Sequence, residues 1–350
     1  METRRLDPDA VPGWLSTLWP LAGRDPRIIA GVNEDDCAVI EWGDRYLVVT
    51  VDFLNSRPIA VQLGLGGLVE VGRLLVAANL ADLCGSGAEP RALLIGATFE
   101  RGAGEEDFRD LMRGVHAEAT KWGVPVVGGD TKLGADRALL AVALGSAPDS
   151  ESLFLKNRGR AGDLLWCSGP LGACNAAVLG LTQNRMSDEW QQWAKDSILV
   201  PNLPLVKSRA LSRARLGHAG IDVSDGLGAD LKRLCDASRV GAVVEAQRIP
   251  VESPARQLAA LMTIEPWALA FGCGGDFQFL VTTPREASPE LEGLGFYLIG
   301  ELTGGDGIRL RLPDGAEVPL PEGGHRDARN TSFAEEILAL VKSAAGVREA

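Results

Sequence analysis

The chain has 350 residues, of which 46% are hydrophobic and 23% charged, and its formal net charge is −12. These are globular values, and the length favours two domains. The negative charge argues against a nucleic-acid or anionic-membrane surface. No apolar run reaches the roughly 18–20 residues of a membrane span, and the start, METRRLDPDAVPGW, has no apolar signal core. We therefore expect a soluble, cytoplasmic protein.

The elements predicted for the first half alternate between strands and helices. Residues 46–51 (YLVVTV) predict a buried strand, and residues 68–84 predict a helix. Residues 105–122 predict a clearer amphipathic helix, because acids open it and a glycine follows it. VPVVGGD predicts a short strand that runs into a Gly-Gly-Asp turn, and residues 138–145 predict another apolar strand.

A polar, turn-rich segment follows at residues 146–163. It predicts a boundary between a first domain, residues 1–148, and a second domain, residues 149–350. The second half opens with a strand, DLLWCSG, and a Gly/Ala-rich helix.

Two further stretches, 220–231 (GIDVSDGLGADL) and 269–283 (LAFGCGGDFQFLVTT), predict strand–turn–helix units, and the end predicts a helix after an irregular segment. Because helices and strands alternate without a strict βαβ rhythm, the pattern favours an α+β class with mixed sheets.

Aspartates recur where apolar runs meet glycine or other small residues. They are Asp35, Asp36, Asp52, Asp82, Asp130, Asp222, Asp225 and Asp276. One such residue is ordinarily a helix cap or a turn residue. So many carboxylates beside apolar runs favour a cation between them, since like charges repel and burial of an unpaired charge is costly. The nearest cation after the stretch 220–231 is Lys232.

Magnesium is the metal that this set of ligands indicates. Carboxylate oxygens suit Mg²⁺, which in proteins commonly serves nucleotide phosphates. The chain has three histidines and six cysteines without CxxC spacing, which argues against zinc or an iron–sulfur cluster. No Walker motif and no HRD or DFG set is present, so the sequence predicts a nucleotide site outside the common folds.

Seven motifs in order resemble the thiamine-monophosphate kinase family, in the PurM-like superfamily of aminoimidazole-ribonucleotide synthetase. They are EDDCAVI, VVTVDFL, AANLADLCGSGAEP, VVGGDTKLG, GRAGDLLWCSGPLG, IDVSDGL and GGDFQFL. The resemblance implies an N-terminal domain that contributes strands to a barrel shared across a homodimer, and a C-terminal α/β domain. It implies ATP in the cleft between the domains and transfer of the γ-phosphoryl group to thiamine monophosphate.

The resemblance also implies a set of site residues. The expected Mg²⁺ ligands are Asp35, Asp36, Asp52, Asp82, Asp130 and Asp225, and of these Asp130 and Asp225 are the expected catalytic residues. The residues expected to line the ATP site are Thr50, Asn79, Gly128, Gly129, Lys156 and Ser224. The residues expected to bind the phosphorylated small-molecule substrate are Asp222, Asp276, Phe277 and Arg57.

Several motifs depart from the family on the acceptor side. FLNSRPIA lacks the family's histidine after Asp52, and Gly275 stands where the kinases carry glutamate. Arg57, His325 and Arg326 could bind an anionic acceptor of another shape. Three functions therefore remain open: a kinase of thiamine monophosphate or of another acceptor, a PurM-like enzyme that activates an amide or carboxylate oxygen, and a non-catalytic nucleotide-binding protein.

Two named branches of the superfamily are disfavoured. Selenophosphate synthetase usually needs a cysteine or selenocysteine in a glycine-rich N-terminal segment, whereas the first cysteine here is Cys37. The hydrogenase-maturation branch ends in a reactive cysteine, whereas this sequence ends in GVREA.

Overall fold

The computed structural model describes residues 11–20, 24–54, 58–321 and 339, and it contains two sheets. The first sheet has the strands β1 (Ile28–Ala30), β2 (Ala38–Trp42), β3 (Arg45–Leu54), β4 (Glu89–Glu100), β5 (Val126–Gly134) and β6 (Ala138–Ala147), in the order β1-β2-β3-β6-β4-β5. Strands β4 and β5 pair in parallel, and the other neighbours pair antiparallel.

Four helices lie in the first half of the described chain: α1 (Val11–Leu18), α2 (Ile59–Gln62), α3 (Leu68–Ser86) and α4 (Glu105–Trp122). Helix α3 packs against β3 and β6, and α4 packs on α3. The predicted bounds of α4 are confirmed. Its first turn carries three acids, the side chain of Asp107 accepts the backbone N–H of Gly104, and Gly123 ends the helix in the left-handed conformation.

The second sheet has seven strands: β7 (Leu164–Cys167), β8 (Gly220–Val223), β9 (Gly241–Glu245), β10 (Gln278–Thr283), β11 (Tyr297–Thr303), β12 (Ile308–Arg311) and β13 (Glu317–Pro319). Their order is β13-β12-β9-β11-β7-β10-β8. Its helices are α5 (Ala173–Thr182), α6 (Asp188–Leu199), α7 (Leu205–Ala214), α8 (Leu227–Ser238), α9 (Ser253–Leu261) and α10 (Ser288–Gly293). The mixed sheets confirm the predicted class. No helix among the described residues is long and apolar enough to cross a membrane.

The predicted strand 46–51 was expected to stop before Asp52, and a turn was expected at Asp130; both predictions are wrong, because β3 continues past Asp52 and β5 runs through Asp130. Asp82 lies inside α3, within the helix predicted for residues 68–84. A strand continues through a polar residue because successive side chains point to opposite faces while the backbone keeps its ladder. The unit at 269–283 is also reversed: a turn and a loop come first, and Asp276 precedes β10.

The predicted boundary between residues 148 and 149 stays a prediction. The two sheets lie on either side of it, but Leu153 and Phe154 are fully buried in the same core as Leu80 and Leu83 of α3. Residues 308–319 form the β12–β13 hairpin, which extends into the segment that was expected to be irregular. The predicted terminal helix, apart from residue 339, lies outside the described residues.

The end of α3 is packed directly against β8, the edge strand of the second sheet. A Cβ atom at Gly85 would lie 2.5 Å from the backbone nitrogen of Asp222, and one at Gly220 would lie 2.3 Å from the carbonyl oxygen of Gly85. The hydroxyl of Ser208 donates to the carbonyl of Cys84 at 2.8 Å. The contact therefore requires glycine on both sides, and it joins the two halves backbone to backbone.

Gly85→Ala should separate α3 from β8, since neither backbone can yield without breaking its own hydrogen bonds. We expect a loss of about 2–3 kcal/mol in the free energy of unfolding, as for overpacked cores, measured by urea denaturation. The matched control is Gly293→Ala at the end of α10, where an added Cβ meets no atom within 4 Å. Equal stability of the two variants would show that the contact does not hold the halves together.

Candidate active site between the two sheets

Helix α3 positions two polar side chains beneath β3. Asn79 is fully buried; its side chain accepts the backbone N–H of Asp52 at 3.0 Å and donates to the carbonyl of Leu75 at 2.9 Å. One turn later, Asp82 accepts the hydroxyl of Thr50 at 2.5 Å. Thr50 and Asp52 lie on the same face of β3 because strand side chains alternate. The predicted Thr50, Asp52, Asn79 and Asp82 are thus brought together.

A buried lysine from the second half meets the loop that precedes β2. The backbone N–H of Lys156 donates to Asp35 at 2.8 Å, and its ammonium group donates to Asp36 at 2.7 Å. The carbonyl of Lys156 in turn accepts the hydroxyl of Ser238 in α8. Lys156 is therefore held at both ends of its backbone, and its charge faces the acids of the first half.

The β8–α8 connection supplies the remaining acids. Asp222 lies in β8 and accepts a hydrogen bond from the side chain of Ser224. Asp230, in the first turn of α8, accepts the backbone N–H of Asp225 at 3.0 Å. The guanidinium of Arg233 contacts Asp225 and Asp230, each at 2.6 Å. One arginine therefore bridges two carboxylates.

These side chains form one group, which we call the aspartate cluster. Its members are Asp35, Asp36, Asp52, Asp82, Asp222, Asp225 and Asp230. Burial raises the pKa of Asp35 to about 6 and that of Asp230 to about 8. For Asp82, burial and then the charge of Asp222 raise the pKa well above its ordinary value. The carboxylates thus repel one another across the boundary between the sheets.

Positive charge is scarce around the cluster. Among the described residues, its ion pairs come from Lys156 and Arg233 alone. None reaches Asp52, Asp82 or Asp222, and burial and neighbouring acids raise the pKa of all three. The cluster is therefore suited to take up further cations.

The described residues contain no group of three or more His, Cys, Asp or Glu side chains arranged to hold a metal ion by themselves. This arrangement still fits Mg²⁺, which binds through one or two carboxylates and completes its octahedral shell with water and phosphate oxygens. The chemistry of the donors fits as well, because all are oxygens.

Asp130 does not belong to the cluster, and its predicted place beside the other ligands is wrong for a single chain. Strand β5 is three positions from β3 in the sheet, a separation of about 14 Å. The side chain is 66% exposed and pairs with Lys132, which lowers its pKa. The neighbouring Gly129 has a packing role, since a Cβ there would lie 1.9 Å from the carbonyl oxygen of Ile95. Contact of Gly128 and Gly129 with ATP stays a prediction.

Asp276 is a helix cap. It accepts the backbone N–H of Gly172 at 2.6 Å and that of Cys174 at 3.1 Å, at the start of α5. Burial raises its pKa to about 6 against these bonds. Phe277, with a φ of 50°, donates its N–H to the carbonyl of Val223.

Substrate contacts of Asp276 and Phe277 stay predictions. Arg57, His325 and Arg326 lie outside the described residues.

Sequence reasoning missed Asp230 and Arg233. It named Lys232 as the nearby cation, whereas the ammonium group of Lys232 pairs with Asp236, one turn further along α8. The spacing contains the signal: Lys232 and Asp236 are four residues apart, and Asp230 and Arg233 are three apart, so both pairs meet on a helix.

Family models match both halves of the chain. Residues 34–147 match the N-terminal domain of AIR synthase related protein, and residues 160–313 match its C-terminal domain. The chain therefore belongs to the AIR synthase related proteins. A thiamine-monophosphate kinase from Pyrococcus abyssi (strain GE5 / Orsay) is 26% identical over 278 residues, which cover 79% of this chain and 84% of that protein.

Solved structures share the fold. AaThiL complexed with AMPPCP and TMP has a TM-score of 0.78 at 21% identity, covering 93% of this chain and 99% of that one. HypE from E. coli, a hydrogenase maturation protein, has a TM-score of 0.66 at 22% identity, covering 90% and 98%. Together with the two family models, this likeness confirms the predicted two-domain PurM-like fold, while the barrel shared across a homodimer stays a prediction.

Asp52→Asn should stabilise the metal-free protein by more than the roughly 0.5 kcal/mol of an ordinary surface substitution, because the neutral amide adds no charge beside the other acids. Burial, Asp36 and Asp225 raise the pKa of Asp52, so its ionisation costs folding free energy as the pH rises. The gain should therefore be larger near pH 8 than near pH 4, in urea denaturation with a chelator.

The control for this measurement is Asp306→Asn, in an exposed loop, which should shift stability by less than about 0.5 kcal/mol. A loss of stability in Asp52→Asn would mean that favourable interactions of this carboxylate in the fold outweigh its burial and the repulsion from neighbouring acids.

Proposed function

We propose that the protein is a Mg²⁺- and ATP-dependent kinase that phosphorylates thiamine monophosphate to thiamine diphosphate. The observation that carries the proposal is the aspartate cluster, in which both halves of the fold place carboxylates that lack enough cations. Curated relatives named thiamine-monophosphate kinase, such as the P. abyssi protein, support the choice of reaction. The AaThiL structure with an ATP analogue and TMP supports the choice of substrates.

The residues divide into two roles. Asp36, Asp52, Asp82 and Asp225, with Asp35 beside them, are the proposed Mg²⁺ ligands, and bound Mg²⁺ would neutralise the nucleotide phosphates. Lys156, Thr50, Asn79 and Ser224 lie beside these acids. Lys156 adds a fixed positive charge, while Thr50 and Asn79 hold β3 against α3 so that the ligands keep their positions.

The acceptor explains why no basic catalyst is needed. A phosphate monoester has its second pKa at about 6, so the attacking oxygen is already anionic at neutral pH. Phosphoryl transfer then depends on positioning and charge neutralisation. A site built of aspartates and cations supplies both.

The activity is tested by incubating the protein with ATP, Mg²⁺ and thiamine monophosphate and quantifying thiamine diphosphate by chromatography. Asp225→Asn should lower kcat/KM at least about a thousandfold, as expected when a group that positions charge at the phosphates is lost. Asp306→Asn should retain wild-type turnover.

The negative outcomes separate the alternatives. Mg²⁺-dependent ATP binding without product would favour a PurM-like enzyme that activates an amide or carboxylate oxygen. Absence of nucleotide binding would favour a non-catalytic role or a different ligand. The cytoplasmic location of the protein stays a prediction.

We also propose that the protein is a homodimer that pairs through the outer face of the first sheet. On this face Val51 and Phe53 are 52% and 66% exposed, and Leu140, Val142 and Leu144 of the adjacent β6 point the same way. A continuous apolar patch of this kind marks an interaction surface. The family resemblance predicts that a second copy of the chain covers this face.

Phe53→Asp should dissociate the dimer to monomers in analytical ultracentrifugation, because a charge would be buried in an apolar interface. The matched control is Val206→Asp on α7, a residue that is 74% exposed on the other half of the chain. A wild-type monomer at micromolar concentration, or a dimer that survives the substitution, would contradict the proposal.

The dimer also bears on Asp130, which shares the outer face with Phe53 through the cross-strand row Phe53–Leu140–Gly96–Asp130. If Asp130 serves the partner's site, mixing the inactive variants Asp52→Asn and Asp130→Asn should restore part of the activity in heterodimers. Activity of Asp130→Asn alone would remove this residue from the mechanism.

A further inference from the structure

The two cations of the aspartate cluster are held in different ways. Lys156 has a side chain that is only 11% exposed, and both its backbone N–H and its carbonyl are bonded to other elements. Arg233 has a side chain that is 51% exposed, and its guanidinium group is held by the cluster itself. Lys156 is therefore a fixed charge, whereas Arg233 can leave its partner by rotation of its own side chain.

Arg233 pairs with the carboxylate oxygen of Asp225 that a metal ion would use. Its Nη2 contacts Oδ2 of Asp225 at 2.6 Å, while its Nη1 contacts Oδ1 of Asp230 at 2.6 Å. A carboxylate oxygen that accepts a charge-assisted hydrogen bond at this distance is less available to a divalent cation. The guanidinium and a cation bound at Asp225 would also repel each other.

The contact with Asp230 would keep Arg233 beside the cluster after its guanidinium leaves Asp225. Asp230 is almost completely buried and accepts the backbone N–H of Asp225 through its other oxygen. Burial lowers the pKa of Arg233, but the charges of Asp225, Asp230 and Asp36 outweigh burial and raise it. Asp36 belongs to the first half of the chain, so the guanidinium lies within the field of both halves.

We propose that Arg233 is an internal counter-ion that occupies Asp225 in the metal-free protein and is displaced from it when a divalent cation binds, while it stays paired with Asp230. The proposal rests on the proposed function, because it takes Asp225 as a metal ligand. Arg233 is thus a positioning residue: it limits charge repulsion within the metal-free aspartate cluster and lowers the affinity for the cation.

The test is Mg²⁺ binding without nucleotide, by isothermal titration calorimetry and by thermal unfolding in chelator and in Mg²⁺. Arg233→Gln should bind Mg²⁺ about tenfold more tightly than wild type, since one competing interaction of about 1.4 kcal/mol is removed. Its Tm in chelator should fall, and its rise on adding Mg²⁺ should exceed that of wild type.

Lys232→Gln is the matched control, because it removes the same charge from the adjacent position of α8, where the ammonium group pairs with Asp236. Its Mg²⁺ affinity should stay within about twofold of wild type. Equal gains in Mg²⁺ affinity in the two variants would show that loss of any positive charge on α8 is sufficient, and would overturn the proposal. Unchanged or weaker binding in Arg233→Gln would overturn it as well.

A double-mutant cycle identifies Asp225 as the point of competition. In an Asp225→Asn background, Arg233→Gln should no longer raise Mg²⁺ affinity; a gain in affinity that persists would overturn the proposal.

If Arg233→Gln does not fold, Arg233→Lys, which cannot bridge both acids, should show a smaller gain in Mg²⁺ affinity, and absence of any gain would overturn the proposal. Absence of Mg²⁺ binding by wild type, even with ATP, would instead remove the metal-dependent function.

Discussion

The candidate site depends on the contact between Gly85 and β8. Because a helix and a strand meet there backbone to backbone, Asp82 lies one helical turn from the second sheet and next to Asp222. Neither half of the chain contains the site alone. Small residues at this position therefore have a chemical consequence, since they fix the spacing at which carboxylates from two sheets interact.

This spacing costs stability in the absence of metal. Burial raises the pKa of several aspartates, and Asp52, Asp82 and Asp222 have no ion-pair partner among the described residues. Carboxylates with pKa values shifted in this way mark candidates for a functional site. Under the proposed function, bound Mg²⁺ would relieve this repulsion and so stabilise the folded protein.

Sequence reasoning located most of the site and the bounds of α4, because acids in ordered motifs and a helical period are local signals. It misplaced Asp130, since a Gly-Gly-Asp segment does not reveal whether the chain turns or continues as an edge strand. It also put the strand of residues 269–283 before Asp276, whereas β10 follows this residue. It also chose Lys232 over Arg233. Helical spacing pairs Lys232 with Asp236 and Asp230 with Arg233, but the link from Arg233 to Asp225 arises only from the fold of the β8–α8 loop.

The position of Asp130 connects oligomeric state with chemistry. In one chain its carboxylate faces away from the cleft, on the outer face of the sheet that also presents Phe53. Lys132 is its only ion-pair partner among the described residues, and that pair is exposed to water, where such pairs contribute little. Pairing of two chains through the apolar face would desolvate Asp130 and strengthen its need for a cation. A metal ion near the interface would meet that need, so in this fold assembly and metal binding would favour each other.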